Sequence, residues 1–384
     1  MSHTGFVIDD ELAMLRDVVS SFVTEQIRPA EESLPPDRRS LPEDVVGGLQ
    51  ERARGIGLWC LDAPAEYGGG GLNAFQSVVV WEAASKHRFC HPVPGGGAFG
   101  FNPPSPLYRG NADQIERYVK PHIEQGWVAF NAIAESSGGT DPAGAIKMTA
   151  VRDGNEWVLD GEKLWITHVT RARYGVVYAR TDQGISCLIV DSDSAGLTST
   201  ELPVVRDAWP HRITFDGVRV PLANLVGEDG KGLSLAGLFV QRGRLVYAAR
   251  SVGIAEEALR LAKEWMADRT TFGAPLSSRQ AIQFAVADAR VRIDAARLLT
   301  WRAASTLDAG GDARSQVAAA KLMATEVASE VVDLSMQLLG AMGMSKELPL
   351  EGWWRDLRVA RVVEGSSEIL RQQIATAELR GPRR

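Results

Sequence analysis

The 384 residues carry a formal charge of -6, are 45% hydrophobic and have a pI near 5.7. Such a chain buries a large core, divides into about two or three domains, and offers no basic footprint for nucleic acid. No apolar run approaches the roughly 18 to 20 residues that span a bilayer, and Met1 to Asp10 lacks the basic and apolar regions of a leader, so no membrane span is expected and the protein is placed in the cytoplasm.

From Asp10 to Ile27 apolar residues recur at three-to-four spacing, predicting an amphipathic helix that Pro29 ends. Leu41 to Leu58 and Phe75 to His87 repeat the pattern. Between them, Gly68 to Gly71 lacks the Gly-Lys-Ser/Thr ending of a phosphate loop and reads as a turn. His87 and His91 are spaced i, i+4, but Pro92 and Pro94 follow and no HExxH completes the set, so no metal is expected. Cys60, Cys90 and Cys187 are odd in number and lack CxxC spacing, which indicates packing rather than a disulfide or zinc site. A Gly/Pro-rich stretch, Pro92 to Pro106, leads to a helix over Ala112 to Gly126.

Near Trp127 the texture changes. Val151 to Thr167, Tyr174 to Arg180, Ile185 to Val190 and Arg212 to Val220 are Val/Ile/aromatic-rich and bounded by turn residues, predicting strands. Long helices return at Gly237 to Asp268, Ser278 to Asp308, Ala313 to Leu339 and Ser367 to Leu379, with Gly340 to Pro349 as a connector; four of them bury themselves most simply as a bundle. The expected fold is α+β and multidomain: an N-terminal helical domain (1–126), a middle β-barrel or sandwich domain (127–236) and a C-terminal four-helix bundle (237–384).

No strand-borne GxGxxG occurs, so a Rossmann-bound nicotinamide or flavin is not indicated. Four other motifs stand out. They are Ala134-Glu135-Ser136-Ser137-Gly138-Gly139-Thr140-Asp141; Gly161-Glu162-Lys163-Leu164-Trp165-Ile166-Thr167; Arg269-Thr270-Thr271-Phe272-Gly273 with Gln280, followed later by Gln337-Leu338-Leu339-Gly340-Ala341-Met342-Gly343; and Val363-Glu364-Gly365-Ser366-Ser367-Glu368-Ile369. The strand period of two puts Trp165 and Thr167 on one face, where they can share a ligand.

In this order, along essentially the whole chain, the motifs resemble those of the FAD-dependent acyl-CoA dehydrogenases. The resemblance implies α,β-dehydrogenation of an acyl-CoA to the trans-2-enoyl-CoA, with Glu364 as the base for the α-proton and FAD taking the β-hydride, because no side chain accepts hydride. Arg244 resembles the arginine that supports the catalytic loop. Some relatives carry their base immediately before that arginine, where this chain has Gly243. FAD contacts are implied at Ile133, Ala134, Thr140, Trp165, Thr167, Ser366 and Glu368, and at Arg269, Phe272, Gln280, Gln337, Gly340 and Ala341 toward the FAD of a neighbouring subunit. Ala134, Ser136 and Ala341 depart from the family's Thr, Pro and Gly.

The implied partners are the acyl-CoA substrate, an electron-transfer flavoprotein as acceptor, and further copies of the chain in a dimer or tetramer. A same-fold oxidase, a flavin monooxygenase and a non-catalytic partner subunit are the alternative readings. Only 20 residues follow Glu364, which argues against the long two-bundle oxidases. The bulky stretch Gly95 to Pro104 hints at a short, branched or cyclic acyl group.

Overall fold

The computed structural model describes residues 6–38, 40–91, 93–206 and 210–380; Pro92 and the first five residues, both read above, lie outside them. The chain divides into two units, one of Cys60–Gly71 with Gly100–Arg242, the other of Met1–Trp59, Leu72–Phe99 and Gly243–Arg384.

The first unit is built on one mixed sheet. Its strands are β1 (Ala129–Ala132), β2 (Thr149–Asp153), β3 (Glu156–Ile166), β4 (Tyr174–Thr181), β5 (Gly184–Asp191), β6 (Leu197–Glu201), β7 (His211–Pro221) and β8 (Leu225–Val226). They run in the order β6-β7-β3-β2-β4-β5-β8, with β1 pairing parallel to β4. β4 and β5 are apolar and buried on both faces, as central strands must be, whereas β7 alternates buried Ile213 and Phe215 with exposed Arg212 and Thr214. The stretch expected as one strand, Val151 to Thr167, is the hairpin β2–β3, turned at Gly154 with φ 61.

The predicted helix at Ala112 to Gly126 begins with an Asn111/Gln114 capping box and ends at Gly126 with φ 68. A π turn, Ile115–Val119, lies just before Pro121. The Gly68–Gly71 run packs on its own chain: a Cβ at Gly69 would meet the Ala63 carbonyl oxygen at 2.3 Å.

In the second unit the first helix does not stop at Pro29. Asp10–Phe22 widens into a π turn, Val23–Ile27, and resumes as Arg28–Glu32. The wide turn accommodates the imide, which has no N–H to donate and whose ring crowds the preceding turn. Gly232–Asp268, Gln280–Asp308 and Arg314–Leu339 form the long helices, and Ser367–Arg380 closes the set. The second unit takes the first of these from Gly243 on.

Arg314–Leu339 buries Val317, Ala320, Ala324, Ala328 and Val331, a small-residue face against which other helices pack closely. An additional helix, Leu350–Ala360, buries Leu350, Trp353 and Leu357, and the Trp353 indole N–H donates to the His87 carbonyl at 3.1 Å. Arg297 bridges Glu82 at 2.9 Å and Glu256 at 2.7 Å, joining an N-terminal helix to two C-terminal ones.

Among the described residues no helix is long and apolar enough to cross a membrane, and no group of three or more His, Cys, Asp or Glu is placed to hold a metal ion. His87 pairs with Glu31 at 2.7 Å, and His91 meets the Tyr247 hydroxyl at 3.3 Å, so the two histidines serve different contacts.

Candidate functional site

After Leu350–Ala360 the chain turns, and Glu364 takes φ 54 followed by Gly365 at φ 99. A non-glycine residue in the left-handed region persists only where its surroundings impose it. Here two cations impose it. Arg244 Nε donates to the Glu364 carbonyl at 2.8 Å and Lys321 Nζ to the Gly365 carbonyl at 2.9 Å, so successive carbonyls are held from two helices. The other arm of Arg244 donates to Gln373 Oε1 at 2.8 Å.

The half-buried Glu364 side chain lies against Gly243, where an added Cβ would stand 3.0 Å from Cδ. Position 243 thus leaves room for the carboxyl. Burial pushes the Glu364 carboxyl up to about 7, against the pull of Arg244 and then Lys321. Burial, with the charge of Arg244, brings the Lys321 ammonium down to about 7. The Ser366 hydroxyl accepts the Ile369 N–H at 3.5 Å at the start of the last helix. Exposed Glu368 is held below the usual carboxylate range by its own backbone N–H and by Ser366.

In the sheet unit, the β3–β7 register shifts between Lys163 and Ile166, and within that bulge Trp165 takes φ 65. Its side chain is left 56% exposed between buried Leu164 and Ile166, with half-buried Thr167 just past the strand end. The loop bearing Ile133, Ala134 and Thr140 is tied to this strand from beneath. Fully buried Lys163 donates to Glu135 at 2.8 Å and to the Ile133 carbonyl at 3.1 Å, and the Leu164 N–H donates to the Ala134 carbonyl at 2.9 Å. Glu135 also accepts the backbone N–H of Lys147 at 2.7 Å and of Met148 at 3.1 Å. Burial lowers Lys163 to about 8, and Glu135 opposes the shift.

The remaining predicted residues lie on two segments of the helical unit. Phe272, fully exposed with φ 49, sits in the turn of the hairpin Thr270–Thr271/Ala274–Pro275, with Arg269 before the hairpin and Gln280 after it. Gln337, Gly340 and Ala341 end the Arg314–Leu339 helix, where Gly340 takes φ 64 and ψ -136, a conformation open essentially to glycine alone. No hydrogen bond or ion pair joins these two segments among the described residues. Of the five non-glycine residues at positive φ among the described residues, three are predicted site residues: Trp165, Phe272 and Glu364. Backbone strain of this kind gathers at functional positions.

Profiles of the acyl-CoA dehydrogenase N-terminal, middle and C-terminal domains match residues 9–125, 131–218 and 230–379. The chain belongs to the acyl-CoA dehydrogenase family. It is 34% identical to the mitochondrial short-chain specific acyl-CoA dehydrogenase of Mus musculus, across 96% of this chain and 90% of that protein. Identity to cyclohexane-1-carbonyl-CoA dehydrogenase of Geobacter metallireducens is 31%, across 96% of this chain and 98% of that one. The butyryl-CoA dehydrogenase structure from Megasphaera elsdenii superposes with a TM-score of 0.86 at 25% identity, covering 98% of this chain and 100% of that chain.

The chain is accordingly an oxidoreductase acting on CH–CH groups, and FAD is its cofactor. The residues present fit that group. Both polar atoms of the Asn131 amide, two residues before Ile133, are buried without a partner, and the hydroxyls of Thr140 and Thr167 also lack one among the described residues. Trp165 adds an exposed aromatic plane of the kind a flavin ring stacks on. Neither Asn131 nor Lys321 falls within the motifs read from the sequence. Lys321 had a signal in the sequence, a lysine at helical spacing between Val317 and Ala324 on an apolar stripe; Asn131 had none.

Proposed function

We propose that the chain oxidises an acyl-CoA to its trans-2-enoyl-CoA, with Glu364 taking the α-proton. The observation that carries this reading is the Glu364 carboxyl itself, strained at φ 54, fixed through its backbone by Arg244 and raised to about 7, where a carboxylate is a useful base near neutral pH. When bound, FAD supplies the acceptor for the β-hydride, which no residue can replace.

The chain's own part is to bind, orient and deprotonate. Ile133, Ala134, Thr140, Trp165, Thr167, Ser366 and Glu368 would hold the cofactor, Trp165 by its ring face and Thr167 by its hydroxyl. Arg269, Phe272, Gln280, Gln337, Gly340 and Ala341 would reach the cofactor of a second copy, Arg269 through the paired donors that suit a pyrophosphate. A homo-oligomer is further supported by Phe284, Val291 and Leu298, exposed at seven-residue spacing along Gln280–Asp308.

The acyl group is read as short, branched or cyclic, in line with the short-chain and cyclohexane-1-carbonyl relatives, and the electron acceptor as an electron-transfer flavoprotein. Anaerobic titration of the FAD-loaded protein with a panel of acyl-CoAs tests the reading. A short or cyclic thioester should bleach the flavin band and yield the enoyl-CoA by mass spectrometry. No bleaching with any member of the panel refutes it, and oxygen consumption without an added acceptor moves the chain to the oxidases.

A further inference from the structure

Lys321 is fully buried in the face formed by Val317, Ala320, Ala324 and Ala328, and its side chain makes one hydrogen bond among the described residues, to the Gly365 carbonyl at 2.9 Å. An unbranched apolar side chain would fill the same space without the cost of taking an ammonium out of water. Packing therefore does not account for a lysine here.

The ammonium ends beside the residue that follows Glu364, on the carbonyl adjacent to the one Arg244 holds, and its charge acts on the Glu364 carboxyl. The charged groups that act on it lie on three elements. Arg244 and Arg250 belong to Gly232–Asp268, Glu326 to its own helix, and Glu364 to the turn; Glu326 is in turn paired with Arg371 of the last helix at 2.7 Å.

We propose that Lys321 is a positioning residue for the proton-transfer step, fixing the turn at Gly365 and supplying the counter-charge that keeps Glu364 ionised and ready to accept the α-proton. The proposal rests on the reading of Glu364 as the base. Arg244 alone leaves the Gly365 carbonyl unheld, and a glycine at φ 99 has no side chain to resist rotation of that peptide.

The test is a titration of the Glu364 carboxyl by infrared difference spectroscopy, parent minus Glu364→Gln, repeated in a Lys321→Met background. Removing a nearby cation favours the neutral acid, so the midpoint should rise by about one pH unit. The acid limb of the anaerobic bleaching rate should rise with it, lowering the rate below the midpoint about tenfold, while thioester affinity changes by less than about threefold. Lys321→Arg, which keeps its charge at every accessible pH, should return the midpoint to the parent's or below.

An unchanged midpoint in folded, FAD-loaded Lys321→Met overturns the proposal. Should that variant not fold, Lys321→Gln decides, because it keeps an N–H donor for the Gly365 carbonyl while removing the charge. A midpoint raised by about one pH unit supports the counter-charge, and an unchanged midpoint overturns the proposal. Glu364→Gln keeps the two readings apart. If it bleaches at the parent's rate, the assignment of the base falls whatever Lys321 does; if it is inert while Lys321→Met matches the parent in both readouts, only the role of Lys321 falls.

Discussion

Replacing Gly243 by Ala should separate stability from catalysis. The new Cβ would lie 3.0 Å from Glu364 Cδ and 3.2 Å from both Cγ and Oε2. Carbon atoms prefer a separation of about 3.5–4.0 Å, so the carboxyl must retreat by roughly 0.5–1 Å. A displacement of about 1 Å in a reacting group costs on the order of a hundredfold in rate, about 2.7 kcal/mol of barrier. Against this, Ala within the helix Gly232–Asp268 gains about 0.5–1 kcal/mol over Gly, and a side-chain carboxyl yields more readily than backbone. Gly243→Ala should therefore unfold in urea within about 1 kcal/mol of the parent, while stopped-flow bleaching under anaerobic conditions slows by about ten- to a hundredfold. A variant that bleaches as fast as the parent would refute the placement of the carboxyl against position 243.

Other consequences follow from the same geometry. Trp165 is 56% exposed, so Trp165→Ala should leave the urea midpoint nearly unchanged. The dissociation constant for FAD should nonetheless rise by about three- to tenfold, as loss of one stacked ring implies, and an unaltered FAD affinity would remove the indole from the cofactor site. The Glu364 carboxyl rises from 4.5 to about 7 on folding, so the stability it contributes is complete below about pH 4.5 and is lost as pH climbs through 7. Glu364→Gln should gain on the parent by about 2–3 kcal/mol between pH 5 and pH 8, and a difference that stays flat over that range contradicts a raised carboxyl.

The three longest helices were legible because their apolar residues recur at 3.6-residue spacing over two dozen positions or more, and each predicted bundle helix lies within five residues of the observed one. What escaped was short or locally compensated. β1 has four residues, and β6, Leu197–Glu201, is a polar edge strand that buries no alternating face. Leu350–Ala360 was hidden by the Gly/Pro connector before it, although Leu350, Trp353 and Leu357 carry helical spacing. Pro29 signals a stop in sequence, but the π turn ahead of it is a backbone adjustment that no side-chain pattern announces.

At the candidate site, the motifs around Glu364 and Trp165 could be read by resemblance, whereas their supports could not. The pairs Glu135–Lys163 and Lys321–Gly365 join residues 28 and 44 positions apart, and only the fold brings them into register. The left-handed backbone at Trp165 and Glu364 is equally invisible in residue type, since neither is a residue that favours it.

Proton removal from the α-carbon is assigned to the carboxylate at position 364. Glu364→Gln keeps the size and the backbone contacts with Arg244 and Lys321 while removing the base, so the purified, FAD-loaded variant mixed anaerobically with a thioester that bleaches the parent is the most direct measurement. The thioester should bind within a few-fold of its parental affinity while the flavin band stays oxidised, the rate falling by at least about a thousandfold. Bleaching at the parent's rate would contradict that assignment.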